Sequence, residues 1–135
     1  MRRTFWVLVT LLISAFNHPV NCQEYDVFLL LGQANMAGRG EMLPGDEDVI
    51  DENLYLLDAD GQIELASNPL NRYSTIKKDG AKQGVGPGHS FGKMIAKTTG
   101  HKVLLVVNAR GGSKLSEWQK GSEAGYFVAS WRGRL

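Results

Sequence analysis

Three stretches of this chain carry residue types and spacings that bear on chemistry. Gly32 to Gly40 (GQANMAGRG) holds three glycines and two amides directly after an apolar run. Such a loop brings backbone N–H groups and side-chain amides close to whatever lies beside it. Gly84 to Lys93 (GVGPGHSFGK) has the glycines and lysine of a phosphate cradle. The P-loop pattern nevertheless fails, because Pro87 stands where its first glycine belongs and Met94 where its hydroxyl belongs. A dinucleotide fingerprint fails too, since a polar, lysine-bearing segment precedes the glycines instead of a strand. The third stretch, Ala109 to Ser113 (ARGGS), turns the chain at the end of an apolar run, where open α/β sheets place their sites.

The remaining chemistry-bearing residues do not form a metal set. One cysteine, Cys22, excludes a cysteine-based zinc site and a disulfide framework. Glu41 to Asn53 is acidic but reads as a solvated loop, and Asp58-Ala59-Asp60-Gly61 lacks the spacing of a calcium loop. His89 falls at the start of a helix and His101 after its stop, both in positions expected at the surface. No metal and no cofactor is expected.

The elements around these stretches set the fold class. Tyr25 to Leu31 reads as a strand buried on both faces, and Lys102 to Asn108 as a second. Leu54 to Leu57 and Gln62 to Leu65 flank a turn ending in Gly61, which predicts a hairpin. Ala66 to Gln83 is polar and irregular, with Lys77, Lys78 and Lys82 in solvent. Pro87 suits the first turn of a helix, Phe91, Met94 and Ile95 give it an apolar stripe, and Gly100 ends it. Lys114 to Lys120 reads as a short helical segment. An apolar strand, a helix and a second apolar strand argue an α/β fold with a parallel sheet.

Composition narrows the function classes. Of 135 residues, 43% are hydrophobic, enough for a single packed domain. Fifteen Lys and Arg against fourteen Asp and Glu lack the basic footprint of a nucleic-acid binder. No apolar run reaches the length of a membrane span. Arg2-Arg3 followed by the apolar stretch Phe5 to Phe16 and the polar exit His18-Pro19 reads as a secretory signal over residues 1–22, cut before Gln23. A short buried helix is the alternative reading. A lipid anchor at Cys22 is disfavoured, because Pro19-Val20-Asn21 lacks the small residues of such a site. The expected product is secreted or periplasmic. Its 113 residues carry no cysteine and thirteen Lys and Arg against fourteen Asp and Glu.

The blocks YDVFLLLGQANMAGRG, KQGVGPGHSFG and VLLVVNARGGSKLSEW, in this order, resemble the SGNH/GDSL hydrolase superfamily. Within it they are similar to the sialate O-acetylesterase and acetyl-xylan esterase group (carbohydrate esterase family six and relatives). The likeness runs from about Tyr25 to about Gly125. It implies a flavodoxin-like three-layer α/β/α domain and an acetylated carbohydrate substrate. Residues 23–135 would then be the N-terminal portion of such a domain. The group's first block reads G-Q-S-N-M, whose serine attacks the acetyl carbonyl while its backbone N–H helps hold the oxyanion. Here the block is Gly32-Gln33-Ala34-Asn35-Met36, so the nucleophile position is Ala34. A methyl group preserves the backbone donor and abolishes the covalent step.

The resemblance places a second oxyanion donor at Gly86, or alternatively Gly88, although these glycines also suit a tight lead into the helix. It puts Gln33, Asn35, Arg110, Gly111 and Gly112 on the loops beside the site. The group's W-H-Q-G-E and D-x-x-H segments, the latter supplying acid and general base, have no match in this sequence. The expectation is therefore a carboxylic ester hydrolase by family that is itself inactive. The alternative is an exported glycan-binding module, or a decayed pseudoenzyme fragment.

Overall fold

The computed structural model describes residues 24–129, so the predicted secretory signal and Cys22 lie outside the described residues. The elements are β1 (Asp26–Gly32), α1 (Ala34–Ala37), β2 (Leu54–Leu57), β3 (Ile63–Leu65), α2 (Pro87–Thr99), β4 (Val103–Ala109), a 3-10 turn (Leu115–Trp118) and α3 (Tyr126–Ala129). The four strands form one sheet in the order β1-β4-β2-β3. β4 runs parallel to both neighbours, pairing Phe28 with Leu105 on one side and Leu56 with Leu105 on the other. β3 is antiparallel to β2, so the sheet is mixed but mostly parallel, and the α/β class holds.

β4 is central because its sequence, VLLVVNA, can be buried on both faces, and every one of its residues is. β1 differs from the expectation. Phe28 and Leu30 pack against the core under α2, but Val27 and Leu29 on the other face are 51% and 38% exposed. Within the described residues β1 is an edge strand paired only with β4, and on this second face Tyr25 meets Tyr55 edge-on while Leu31 lies beside Leu115 and Trp118.

The hairpin forms where predicted. The Asp58 carboxylate accepts the Asp60 and Gln62 amides at 2.8 and 2.7 Å, and Gly61 takes a φ of +80°. Helix α2 also begins and ends as expected, with Pro87 in its first turn and Gly100 left-handed at its C-cap, donating to Ala96 O. Its inward face is only partly the expected stripe: Ile95 packs against the core, but the residues that are buried are smaller. Gly88, Gly92 and Ala96 face the sheet, whereas Met94 is 68% exposed and Phe91 lies half-exposed against Phe28. A Cβ on Gly92 would come within 2.9 Å of Leu54 Cδ1 and 3.1 Å of Leu105 Cδ1, so glycine sets how closely the helix approaches.

Residues 66–83 are irregular, as read, but they are not simply a solvated loop. Ala66, Leu70 and Ile76 join the core, and Asn68, Asn71 and Ser74 are buried with them. Buried polar groups need partners: Asn71 and Ser74 find theirs at the C-terminal end of β4, whereas Asn68 Nδ2 donates to Asp46 O at 3.1 Å and lies 2.6 Å from His89 Nδ1.

Candidate active site

The C-terminal ends of β1 and β4 lie side by side, and the loops leaving them build the site. β1 ends at Gly32, Gln33 caps α1, and Ala34 is the first helical residue, half-buried. On the neighbouring strand, Asn71 grips the last β4 residue through both backbone groups. Its Oδ1 accepts the Ala109 N–H at 2.9 Å and its Nδ2 donates to the Ala109 carbonyl at 3.2 Å. Asn108, one residue earlier, accepts from Ser74 Oγ at 2.5 Å and donates to Thr75 Oγ1 at 3.1 Å.

That grip fixes the start of the loop 110–113. The Arg110 N–H donates to Gly32 O at 2.9 Å, tying the loop back to β1. Ser113 closes the turn through its hydroxyl to Arg110 O at 2.9 Å, and Gly112 supplies the left-handed conformation that the turn requires, with φ at +76°. Trp118 Nε1 donates to the same hydroxyl at 2.9 Å, and Gln33 Nε2 donates to the Ser113 carbonyl. Gly111 is thereby held against Ala34: a Cβ on Gly111 would lie 3.7 Å from the Ala34 Cβ.

A third segment closes on the first from the other side. Gly40 and Val85 exchange backbone hydrogen bonds of 2.9 and 3.3 Å, and Gly38 could carry no side chain because a Cβ there would meet Gly84 O at 2.1 Å. Gly86 packs on the backbone of Gly38 and Asn35. Gly88 does not reach this loop; a Cβ there would meet Leu30 and Leu70 in the core. The two alternative glycines thus occupy different surroundings, one beside the Ala34 loop and one in the helix–sheet interface.

The structure therefore gathers Gln33, Ala34, Asn35, Gly86 and Gly111, with Gly112 on the same turn. The Arg110 side chain leads away, donating to Ile76 O at 2.6 Å with its guanidinium 5.4 Å from the Tyr126 ring centre. Beside Gln33 an open cleft of about 250 Å³ is lined by Leu31, Gly32, Leu115 and Trp118. Sequence reasoning missed Arg39, whose Nη1 bonds the carbonyls of Gly38 and Lys82 at 2.8 and 2.6 Å, and whose Nη2 lies 3.0 Å from where a Gly111 Cβ would stand. Its one signal was a charge inside an otherwise uncharged loop. Asn71 was missed as well and gave no signal, since a buried amide in an irregular segment follows no period.

Neither described histidine lies at this site. His101 pairs with Asp26 at 2.9 Å at the opposite end of the strands. His89 Nδ1 is engaged with Asn68 Nδ2 at 2.6 Å. Among the described residues no three His, Cys, Asp or Glu converge as a metal site, and no helix is long and apolar enough to cross a membrane.

The chain is 33% identical over 114 residues to a probable carbohydrate esterase of Arabidopsis thaliana, a match covering 71% of this chain and 42% of the relative. It is similar to an X-ray structure of an Arabidopsis thaliana protein with a TM-score of 0.64 at 30% identity, covering 77% of this chain and 47% of that one. The chain thus spans less than half the length of the proteins it matches. The model of the family described as carbohydrate esterase, sialic acid-specific acetylesterase matches residues 24–131, and the chain belongs to that family.

Proposed function

We propose that this chain recognises O-acetylated carbohydrate at the C-terminal ends of β1 and β4 and does not hydrolyse it. The observation that carries the reading is Ala34, a methyl group held against Gly111 at the position where the family's motif has its nucleophile. Acyl transfer through a serine needs an oxygen that can bond to the carbonyl carbon and a base to take its proton. Ala34 offers no oxygen, and His89 and His101 are engaged elsewhere. Backbone N–H groups remain able to hold an acetyl carbonyl, because they do not depend on the side chain. The cleft beside Gln33 would take the sugar, with the Trp118 indole as a flat apolar wall.

Saturation-transfer NMR with acetylated xylo-oligosaccharide and O-acetylated N-acetylneuraminic acid tests this. Contact with the acetyl methyl is expected, with weaker contact for the deacetylated sugars and p-nitrophenyl acetate hydrolysis at the buffer rate. Hydrolysis well above that rate, or indifference to the acetyl group, would overturn the reading.

The same reading places the protein outside the cytoplasm, on the strength of Arg2-Arg3 and the apolar run to Phe16. Mass spectrometry of protein recovered from the medium or periplasm is expected to find an N-terminus at or near Gln23. Soluble cytosolic protein retaining Met1 contradicts it.

A further inference from the structure

The charges of this chain are sorted along its length. Residues 40–71 hold nine Asp or Glu and no Lys or Arg, whereas residues 72–120 hold ten Lys or Arg and two acids, Asp79 and Glu117. Folding brings part of each block side by side. Helix α2 has no acidic residue, and His89, Lys93 and Lys97 follow one another at four-residue spacing, which puts them on one side of it. With Ser90, Met94 and Thr98 they line an open groove of about 410 Å³. The acidic segment 46–52 lies next to this helix. At one end Asn68 links Asp46 O to His89 Nδ1, and further along Ile50 packs on the core cluster that contains Ala96.

The two strips do not neutralise each other. The ion pairs among the described residues are Arg72 with Glu64 and His101 with Asp26, so neither Lys93 nor Lys97 is in one. Of the carboxylates beside the helix, Asp46 accepts the Leu43 amide at 2.7 Å and Asp51 the Asn53 amide at 2.9 Å. Glu47, Asp48 and Glu52 are exposed, and their side chains have no partner among the described residues. Past the C-terminus of α2, Glu24 and Asp26 share a separate cavity with His101 and Lys102. Both strips also expose apolar surface, Met94 in the groove and Leu43 and Val49 on the acidic side. Adjacent strips of opposite sign are self-complementary under a two-fold rotation, which lays the acidic strip of each copy on the basic strip of the other.

We propose that the α2 groove docks the acidic 46–52 segment of a second copy of this chain, forming a two-fold dimer. Lys93 and Lys97 of each copy meet Glu47 and Asp48 of the other, and Val49 covers Met94. A free polyanion suits the groove less well, because Asp46, Glu47 and Asp48 flank it and repel such a ligand. The groove shares no residue with the cleft beside Gln33, so dimerisation and glycan recognition stand or fall separately.

Sedimentation velocity of the full 135-residue chain, over a concentration series at low and high salt, tests this. A monomer–dimer equilibrium is expected, weakening as salt screens the exposed charges. Lys93→Glu with Lys97→Glu should weaken dimerisation about tenfold or more, because like charges then face each other, and Glu47→Lys with Asp48→Lys should do the same. An equimolar mixture of the two reversed proteins should associate again, since every contact in the mixed dimer rejoins opposite charges; that rescue also shows that both variants are folded. Placing all four substitutions in one chain should restore the homodimer. A monomer at every concentration, association indifferent to salt and to both reversals, or loss of association without rescue would overturn the proposal. Association through the apolar run Phe5 to Phe16 would give the second of these results. A chain that stays monomeric alone but binds added polygalacturonate would overturn it too, and would assign the groove to an acidic glycan.

Discussion

Asn71→Ala is expected to destabilise the protein by about 2–4 kcal/mol, the largest effect of any single polar substitution near the site. The amide side chain satisfies the N–H and the carbonyl of Ala109, a residue with no exposed surface at the end of the central strand. Its removal strands the N–H completely and leaves the carbonyl only the Ser74 hydroxyl at 3.4 Å. An unsatisfied buried group costs about 1–3 kcal/mol, and the lost side-chain volume adds a cavity. In a domain this small each kcal/mol lowers the melting temperature by about 4–8 °C, so the variant should melt some 10–25 °C below the parent. Differential scanning calorimetry measures this directly, with the exposed Gln62→Ala as a control expected to change little. A shift of a degree or two for Asn71→Ala would mean that water replaces the amide and that the end of β4 is open to solvent.

What could be read from the sequence followed the strength of each local signal. β4 was legible because seven consecutive residues suit burial and all seven are buried. The hairpin was legible because Asp58 and Gly61 have turn chemistry that needs no tertiary help. The ends of α2 were legible for the same reason, through Pro87 and Gly100. Its inward face was legible in part: Ile95 packs against the core and Phe91 meets Phe28, but Met94 is exposed, and glycines carry no weight in a count of apolar periodicity. The helix instead packs by close approach, along Gly88, Gly92 and Ala96. β1 read as doubly buried because Val27 and Leu29 carry the apolar character of a central strand, and sequence alone does not say how many neighbours such a strand has within the residues described. Of the site, the loops holding Ala34, Gly86 and Gly111 were legible from their glycines and strand-end positions, but the roles of those residues only as a resemblance. Arg39 and Asn71 were illegible because their roles arise from contacts 43 and 38 residues away.

The second large expected effect concerns Ala34 itself. In the chain as it stands, Ala34→Ser should give no esterase activity. A serine hydroxyl is a weak nucleophile near neutral pH without a base, and general-base assistance is worth about 10²–10⁴-fold. Neither described histidine is placed to give that help. Fusing residues 23–125 to the remaining part of the Arabidopsis thaliana relative would supply what the resemblance implies is needed. In that context the choice between alanine and serine becomes the choice between an inert site and a working one.

The most direct measurement is therefore hydrolysis of p-nitrophenyl acetate and an acetylated xylo-oligosaccharide by four proteins: the chain and the fusion, each with alanine or serine at position 34. Only the fusion carrying Ala34→Ser should turn over, by several orders of magnitude above the other three. Equal turnover by the fusion that retains Ala34 would show that the nucleophile lies elsewhere and that Ala34 does not occupy the position assigned to it.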